Sequence, residues 1–180
     1  MQLASLKKTQ VNKTFAKKLL KQWGNGVYGG IDNKKALMFT FGANGNVSTI
    51  FNAQTEQASS IKGKFIKNIQ PGSSSNVAGD FTNAVHFATD HSINQIAGYT
   101  NIAIFIVDDD SAGYDHNAVL SLKQQFQRVI IISHRNQSEP MKMAASWPTN
   151  ENYHDASMMR HDSFARRIAY QVLFQILNIK

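Results

Sequence analysis

Cysteine is absent from the 180-residue chain, which excludes disulfide bonds and metal sites built on thiolates. No apolar run approaches the length of about 20 residues that a membrane-spanning helix needs. The opening stretch "MQLASLKKTQVNK" is polar and basic, and it lacks the apolar centre of a signal peptide. These absences predict a cytoplasmic, globular protein that does not span a membrane.

Acidic residues are scarce, with 12 Asp and Glu against 19 Lys and Arg and a formal net charge of +7. Such a surplus favours contact with nucleic acid, anionic membranes or acidic proteins. The sequence also lacks a P-loop, an HExxH zinc motif and a GxSxG nucleophile elbow. The enzyme classes that depend on those three motifs are therefore not indicated.

Hydrophobic periodicity predicts a chain in which strands alternate with helices. Apolar residues at helical spacing predict helices over residues 3–23, 55–69, 77–93, 116–126 and 157–178. Short apolar and β-branched runs predict strands over residues 35–42, 47–51, 101–107 and 128–133. "NGN" at 44–46 predicts a hairpin turn between the first two strands. Residues 134–156 are polar, contain two prolines and are interpreted as an irregular insertion.

The runs "NIAIFIV" and "RVIIIS" are typical of parallel strands that are covered on both faces. Together with the alternation of elements, they predict a single α/β domain over residues 1–180. Its expected architecture is three-layered and Rossmann-like, with a mostly parallel sheet, one antiparallel hairpin strand and helices on both faces. In such a sheet, the functional crevice lies beyond the carboxyl ends of the strands.

Three adjacent aspartates, Asp108, Asp109 and Asp110, follow one predicted strand at that edge. Carboxylates this close repel one another unless a cation, a basic partner or protonation relieves them. Oxygen-rich sites suit Mg²⁺, Mn²⁺ or Ca²⁺. The alternative interpretation is a solvated acidic turn in which Asp110 caps the following segment.

Three other groups of polar residues are candidates for binding. Ser74 and Ser75 in "PGSSSN" offer hydroxyls to an anion or a metal, or the loop merely caps the helix after it. The pairs His154–Asp155 and His161–Asp162 are interpreted as caps or surface pairs rather than metal ligands. Six lysines lie mostly off the apolar stripe of helix 3–23 and form either a solvated face or an anion-binding face: Lys7, Lys8, Lys13, Lys17, Lys18 and Lys21.

Residues 35–133 resemble a von Willebrand factor A domain, a family with a Rossmann-like fold that often carries a metal-ion-dependent adhesion site. "KALMFTFGANGNVSTIF" resembles its hairpin, "PGSSSN" its second metal loop, and "NIAIFIVDDDSAG" its strand that ends in Thr-Asp-Gly. The resemblance implies that Asp108 and Ser75, or Ser74 in another register, bind Mg²⁺ or Mn²⁺. It also implies a protein partner.

The chain departs from that family because it contains no Asp-x-Ser-x-Ser motif, which supplies three metal-coordinating side chains. A truncated domain, another segment or chain that fills the missing strand, and loss of the metal function all remain open. "VDDDSAG" is also similar to the Asp-x-Asp-x-x-Gly of Toprim domains. That rival resemblance implies a Mg²⁺-dependent enzyme acting on nucleic acid through Asp108 and Asp110, for which Glu56 is the only preceding glutamate.

Three functions are therefore expected from the sequence, in this order. The first is a non-enzymatic protein-binding module with a degenerate Mg²⁺ site. The second is the Toprim-like enzyme. The third is a basic nucleic-acid-binding subunit that uses the lysines of helix 3–23.

Overall fold

The computed structural model describes residues 12–19, 37–42, 46–52, 77–91, 101–107, 114–134, 138–157 and 162–177. The chain divides into two compact units. The first comprises Met1–Thr40, Ser48–Pro71 and Met159–Lys180, and the second comprises Phe41–Val47 and Gly72–Met158. A single folding domain can contain two such units, so the expected single domain over residues 1–180 stays a prediction.

Helices and strands alternate along the described ranges, as the sequence predicts. In chain order they are α1 (12–19), β1 (Leu37–Gly42), β2 (Asn46–Asn52), α2 (Val77–Asp90), β3 (Ile102–Val107), α3 (His116–Gln125), β4 (Arg128–Ser133), α4 (Glu139–Ala144), α5 (Thr149–Asn152), β5 (Tyr153–Asp155) and α6 (Asp162–Leu177). The predicted helix over 55–69 lies outside the described residues. None of the described helices is long and apolar enough to cross a membrane.

The second unit is built on a parallel sheet of three strands in the order β3-β4-β5. β4 occupies the middle and pairs in parallel with both neighbours. Its residues Val129 to Ile132 are fully buried, because an apolar strand in this position is covered on both faces. The prediction of a small α/β fold with a parallel sheet is therefore confirmed.

At both ends of β4, residues outside the strands complete its backbone hydrogen bonding. β5 has three residues and does not reach Val129. There, Ser146 takes the place of a strand neighbour, since its hydroxyl accepts from the Val129 amide at 2.8 Å and its amide donates to the Val129 carbonyl at 2.9 Å. These bonds satisfy buried backbone groups that would otherwise cost free energy.

An aromatic cluster forms part of the core of this unit. The Phe81 ring of α2 lies 5.5 Å from the Phe105 ring of β3 and 5.7 Å from the Tyr114 ring, measured between centroids. Phe41 of β1 lies 6.4 Å from both Phe81 and Phe105. Three of these four ring pairs are edge-to-face, an arrangement that the ring quadrupoles favour, and the Phe41–Phe81 pair is tilted. The cluster holds the first turns of α2 against the second half of β3.

Residues 134–156 differ from the irregular insertion expected from the sequence, because they contain α4, α5 and β5. Each of these elements has three to six residues. Such lengths are too short for an apolar period to stand out in a sequence. The two prolines are compatible with this structure, since Pro140 lies in the first turn of α4 and Pro148 precedes α5. The Trp147–Pro148 peptide bond is cis.

The described parts of the first unit are helical or belong to β1 and β2. α1 buries Phe15 and Leu19 of its predicted apolar stripe, together with Ala16. α6 buries Ala165, Ile168, Ala169 and Val172, which confirms the amphipathic C-terminal helix. β1 and β2 pair in a sheet of two strands.

Candidate functional site at the carboxyl edge of the parallel sheet

Three strands of the second unit end together at one edge. Val107, Ser133 and Asp155 are in register across β3, β4 and β5. The pairing continues one step further, because the His134 amide donates to the Val107 carbonyl at 2.9 Å and the Ala156 amide donates to the Ser133 carbonyl at 2.6 Å. Polar side chains therefore follow the apolar strands at the edge where parallel α/β sheets carry their ligands.

His134 is a buried polar residue whose ring is held by a hydrogen bond. It is 8% exposed, and its Nδ1 lies 3.2 Å from the Ala156 carbonyl oxygen. A carbonyl oxygen only accepts hydrogen bonds, so Nδ1 carries the proton of this bond. The lone pair of a neutral His134 then lies on Nε2. The ring thus bridges the ends of β4 and β5 with a defined tautomer.

The pair His154–Asp155 lies in β5, not on a helix. His154 is 7% exposed, which corrects its interpretation as part of a surface pair. Asp155 accepts from the Ser157 amide at 2.8 Å and so forms a local turn at the strand end. Successive strand residues face opposite sides of a sheet, so these two side chains do not converge on one metal ion. His161 lies outside the described residues.

Asp80, in the first turn of α2, is the feature of this region that the sequence did not reveal. The residue is 4% exposed, and its Oδ1 has no hydrogen-bond partner within the described part of the chain. The next residue, Phe81, contacts Phe105 of β3, and the hydroxyl oxygen of Thr82 accepts from the Asp115 amide at 3.0 Å. Asp80 therefore belongs to a turn that packs beside the carboxyl half of β3 and the start of α3.

A buried carboxylate oxygen without a donor raises the free energy of the folded state, because it has lost its hydrogen bonds to water and formed none in the protein. A hard cation or an external donor would relieve that cost. Asp80 thus fits an oxygen-ligand cation site as one ligand. Among the described residues, however, no three His, Asp or Glu side chains are grouped to hold a metal ion. A full coordination shell would need further oxygens.

The metal ligands expected from the sequence lie outside the described residues. These are Asp108, Asp110, Ser74 and Ser75. Their nearest described neighbours along the chain are Val107 at the end of β3 and Val77 at the start of α2.

Three of the six lysines expected to bind anions lie on α1. Lys13, Lys17 and Lys18 are half-buried on this helix, away from the buried Phe15, Ala16 and Leu19. Lys7, Lys8 and Lys21 lie outside the described residues. Half-burial is common for lysine, because its aliphatic stem packs on the protein while the ammonium reaches water.

Asp115 is a second residue whose role was not predicted from the sequence. Its side chain caps α3 by accepting from the amides of Asn117 at 2.8 Å and Ala118 at 3.3 Å. The cap signal was present in the sequence, since an aspartate directly precedes the helix pattern. For Asp80 no signal existed, because nothing in a helical sequence marks a carboxylate that will be buried.

Comparison with known proteins adds no relative: no protein-family model matches the sequence, and no curated protein matches it either.

Proposed function

We propose that this protein is a non-enzymatic protein-binding module of the α/β class, and that its partner binds at the carboxyl edge of the parallel sheet together with Mg²⁺ or Mn²⁺. The proposed architecture is the three-layer, Rossmann-like one of von Willebrand factor A domains. Asp108 and Ser75, with Ser74 and Asp110 as further oxygen donors, are the proposed ligands from the chain. Asp80 joins them as a buried carboxylate.

The observation that carries the proposal is the unpaired, buried Oδ1 of Asp80 beside the end of β3. The contact of Phe81 with Phe105 brings the turn that contains Asp80 to the same end of the sheet as Val107. Asp108 follows Val107 directly, and Ser75 precedes α2 by two residues. Short chain segments thus connect three oxygen donors to one neighbourhood, which favours a shared cation.

A cation at this edge would bind a partner by leaving one coordination position for a carboxylate of that partner. The chain itself would supply carboxylate and hydroxyl oxygens, the ligands that Mg²⁺ prefers. No proton transfer or nucleophile is required. A binding function is therefore favoured over an enzyme.

Isothermal titration with Mg²⁺ and with Mn²⁺ tests the proposal. We expect a saturable signal for the wild-type chain and a loss of at least tenfold in affinity for Asp108→Asn and for Asp80→Asn, since each removes a charged ligand. Asp90→Asn is the matched control, because Asp90 lies exposed at the other end of the same helix. It should bind the metal as the wild type does.

Two results would contradict the proposal. The first is an absence of metal binding at millimolar concentration, which would exclude a working cation site. The second is unchanged binding in both Asp108→Asn and Asp80→Asn. If Asp108→Asn alone abolishes binding, the cation site stands and Asp80 is not one of its ligands.

A second candidate function rests on α1, where three lysines share a helix whose other face is buried. This arrangement supports a nucleic-acid-binding face. If it binds DNA, the logarithm of the affinity should fall linearly with the logarithm of the salt concentration. Replacement of Lys13, Lys17 and Lys18 by Gln should make that slope about 2 to 3 units shallower. Binding that ignores salt would exclude this function.

A further inference from the structure

The end of the second unit opposite the carboxyl edge carries large apolar side chains that water contacts. Trp147 is 88% exposed, Met143 63% and Leu120 57%. Single exposed apolar residues are ordinary on a protein surface, but a group of large ones marks an interaction site. Tryptophan also contributes more binding free energy at protein interfaces than most residues.

These side chains belong to one region, because Lys123 connects the elements that carry them. Leu120 precedes Lys123 by one turn of α3, so the two share a face of the helix. The Lys123 ammonium donates to the Met143 carbonyl at 2.6 Å, at the end of α4. Trp147 follows Ser146, which is bonded to Val129 near the start of β4. We call Leu120, Lys123, Met143 and Trp147 the amino-edge patch.

The Lys123 ammonium, the one charge in this patch, has no carboxylate partner among the described residues. Among the described residues, the Lys123 ammonium has only the neutral Met143 carbonyl as a partner. The two glutamates of residues 138–157 pair with other cations, since Glu139 pairs with Lys142 at 2.6 Å and Glu151 pairs with Arg128 at 3.7 Å. Partial burial lowers the pKa of Lys123, because desolvation disfavours the charged form. An external carboxylate would stabilise the ammonium.

We propose that the amino-edge patch is a docking surface for an acidic protein segment, in which a carboxylate pairs with Lys123 and neighbouring apolar side chains pack on Trp147, Met143 and Leu120. The net charge of +7 favours an acidic partner as well, by attraction at a distance. This surface is separate from the carboxyl edge and needs no metal ion.

Two other occupants fit less well. A second copy of the chain, related by a twofold axis through the patch, would bring two Lys123 ammonium groups into one interface, where like charges repel. A nucleic acid strand needs a track of several cations along its backbone, whereas this patch is mainly apolar and has one. Both occupants are distinguishable outcomes of the test below.

The test uses a random library of short peptides displayed on phage, selected on the full-length protein in the presence of EDTA. Binders to Trp147→Ala protein are removed first. We expect the enriched peptides to combine Asp or Glu with aromatic or aliphatic residues. EDTA separates this outcome from the metal-dependent binding proposed above, so that either proposal can fail without the other.

An enriched acidic peptide is then measured against variants by titration. Trp147→Ala should weaken binding about thirtyfold or more, as loss of an interface tryptophan does. Lys123→Met keeps an unbranched stem and should weaken binding about tenfold. That loss should vanish when the Glu of the peptide is replaced by Gln, because the pairing partner is then absent. Phe174→Ala, which removes an exposed aromatic ring from the other compact unit, is the control and should bind normally.

Several results would overturn the inference. One is the absence of enriched peptides, and another is enrichment of neutral or basic ones. A third is peptide binding that Trp147→Ala leaves unchanged. Sedimentation that shows a dimer lost in Trp147→Ala would assign the patch to a second copy instead. Displacement of the bound peptide by single-stranded DNA would assign the patch to nucleic acid instead.

Discussion

Two buried residues differ in what their unpaired oxygens signify. Asn152 is fully buried, and its amide group donates to the carbonyls of Ser146 and Pro148 at 3.3 and 3.1 Å. Its Oδ1, like that of Asp80, has no hydrogen-bond partner in the described chain. Asn152 is neutral, and the two hydrogen bonds that its amide group donates hold the turn around Pro148. These bonds offset the free-energy cost of burying its unpaired Oδ1. For Asp80, no hydrogen bond to Oδ1 from the described residues offsets the burial of this carboxylate oxygen.

Asp80→Asn should therefore stabilise the metal-free protein, by about 1 kcal/mol, because a neutral amide is less costly to bury than a carboxylate. Urea unfolding in EDTA measures the change. Addition of Mg²⁺ should raise the free energy of unfolding of the wild type and leave that of the variant unchanged, since only a bound ligand stabilises. Exposed Asp90→Asn should change neither value. Destabilisation of Asp80→Asn in EDTA would mean that the carboxylate already has an ionic partner.

Tyr114 predicts a pH dependence of stability. Its hydroxyl donates to the Pro140 carbonyl at 3.0 Å, and burial raises its pKa above the usual value of 10.0. Because the folded-state pKa is the higher one, this contribution to stability is fully present below about pH 10 and is lost as the pH rises through the folded pKa. Tyr114→Phe should cost about 1 kcal/mol at neutral pH, and the difference from wild type should shrink above pH 10.

Unfolding measured between neutral and alkaline pH on both proteins checks this expectation. Lys123 acts in the opposite sense over the same range, since its lowered pKa makes stability rise with pH. The Tyr114 effect must therefore be taken as the difference between wild type and Tyr114→Phe. A difference that stays constant through the alkaline range would refute the prediction.

At the scale of elements, the start of α3 shows how capping connects two helices. Asp115 uses its carboxylate for the cap of α3, while its backbone amide donates to the hydroxyl of Thr82 on α2. The side chain accepts hydrogen bonds from the amides of Asn117 and Ala118. Amides in the first turn of a helix have no carbonyl partner within the helix. One residue thus begins a helix and attaches it to its neighbour.

Asp115→Ala should lower the free energy of unfolding by about 1 kcal/mol, the usual cost of losing an N-cap. Asp115→Asn is the matched control, since asparagine caps about as well and the Thr82 contact uses only the backbone. Chemical denaturation of the three proteins gives both differences. An equal loss in Asp115→Asn would show that the charge, and not the cap, is what stabilises α3.

The parallel sheet dominates the second unit at the scale of the whole molecule. β4 lies between two strands, and Ser146 and Ala156 extend its hydrogen bonding at the two ends. Two surfaces lie at opposite ends of this strand. The carboxyl edge carries buried polar groups, and the amino-edge patch carries exposed apolar ones. If both proposals hold, the two surfaces would bind their partners at opposite ends of the sheet.

Native-state hydrogen exchange should therefore find the slowest amides in β4, at Ile130, Ile131 and Ile132. These positions are fully buried at the centre of the sheet, so their amides exchange only when the unit unfolds. Exchange at the start of α4 and in α5 should be faster, because short helices have few internal bonds. Equal protection of α5 and β4 would contradict this order.

The sequence alone determined where most described elements lie. The run 128–133 is a strand over the predicted residues, and α2, β3 and α3 begin within one residue of their predicted starts. These elements have long or strongly patterned apolar runs, and such runs predict helices and strands that pack in the core. The residues predicted to bind a metal ion are not tested in the same way. Asp108 to Asp110, Ser74 and Ser75 lie outside the described residues, so their metal role stays a prediction.

Tertiary structure decided what distant residues do together. Only the packing around α2 in the fold buries Asp80 and leaves its Oδ1 unpaired among the described residues, and only pairing with β4 makes a strand of three residues from 153 to 155. The exposure of Trp147 is likewise a result of the fold, since an apolar residue in a sequence is expected to be inside. Local patterns encode which face of an element is apolar, whereas burial of a charge and exposure of a tryptophan depend on what the rest of the chain places against them.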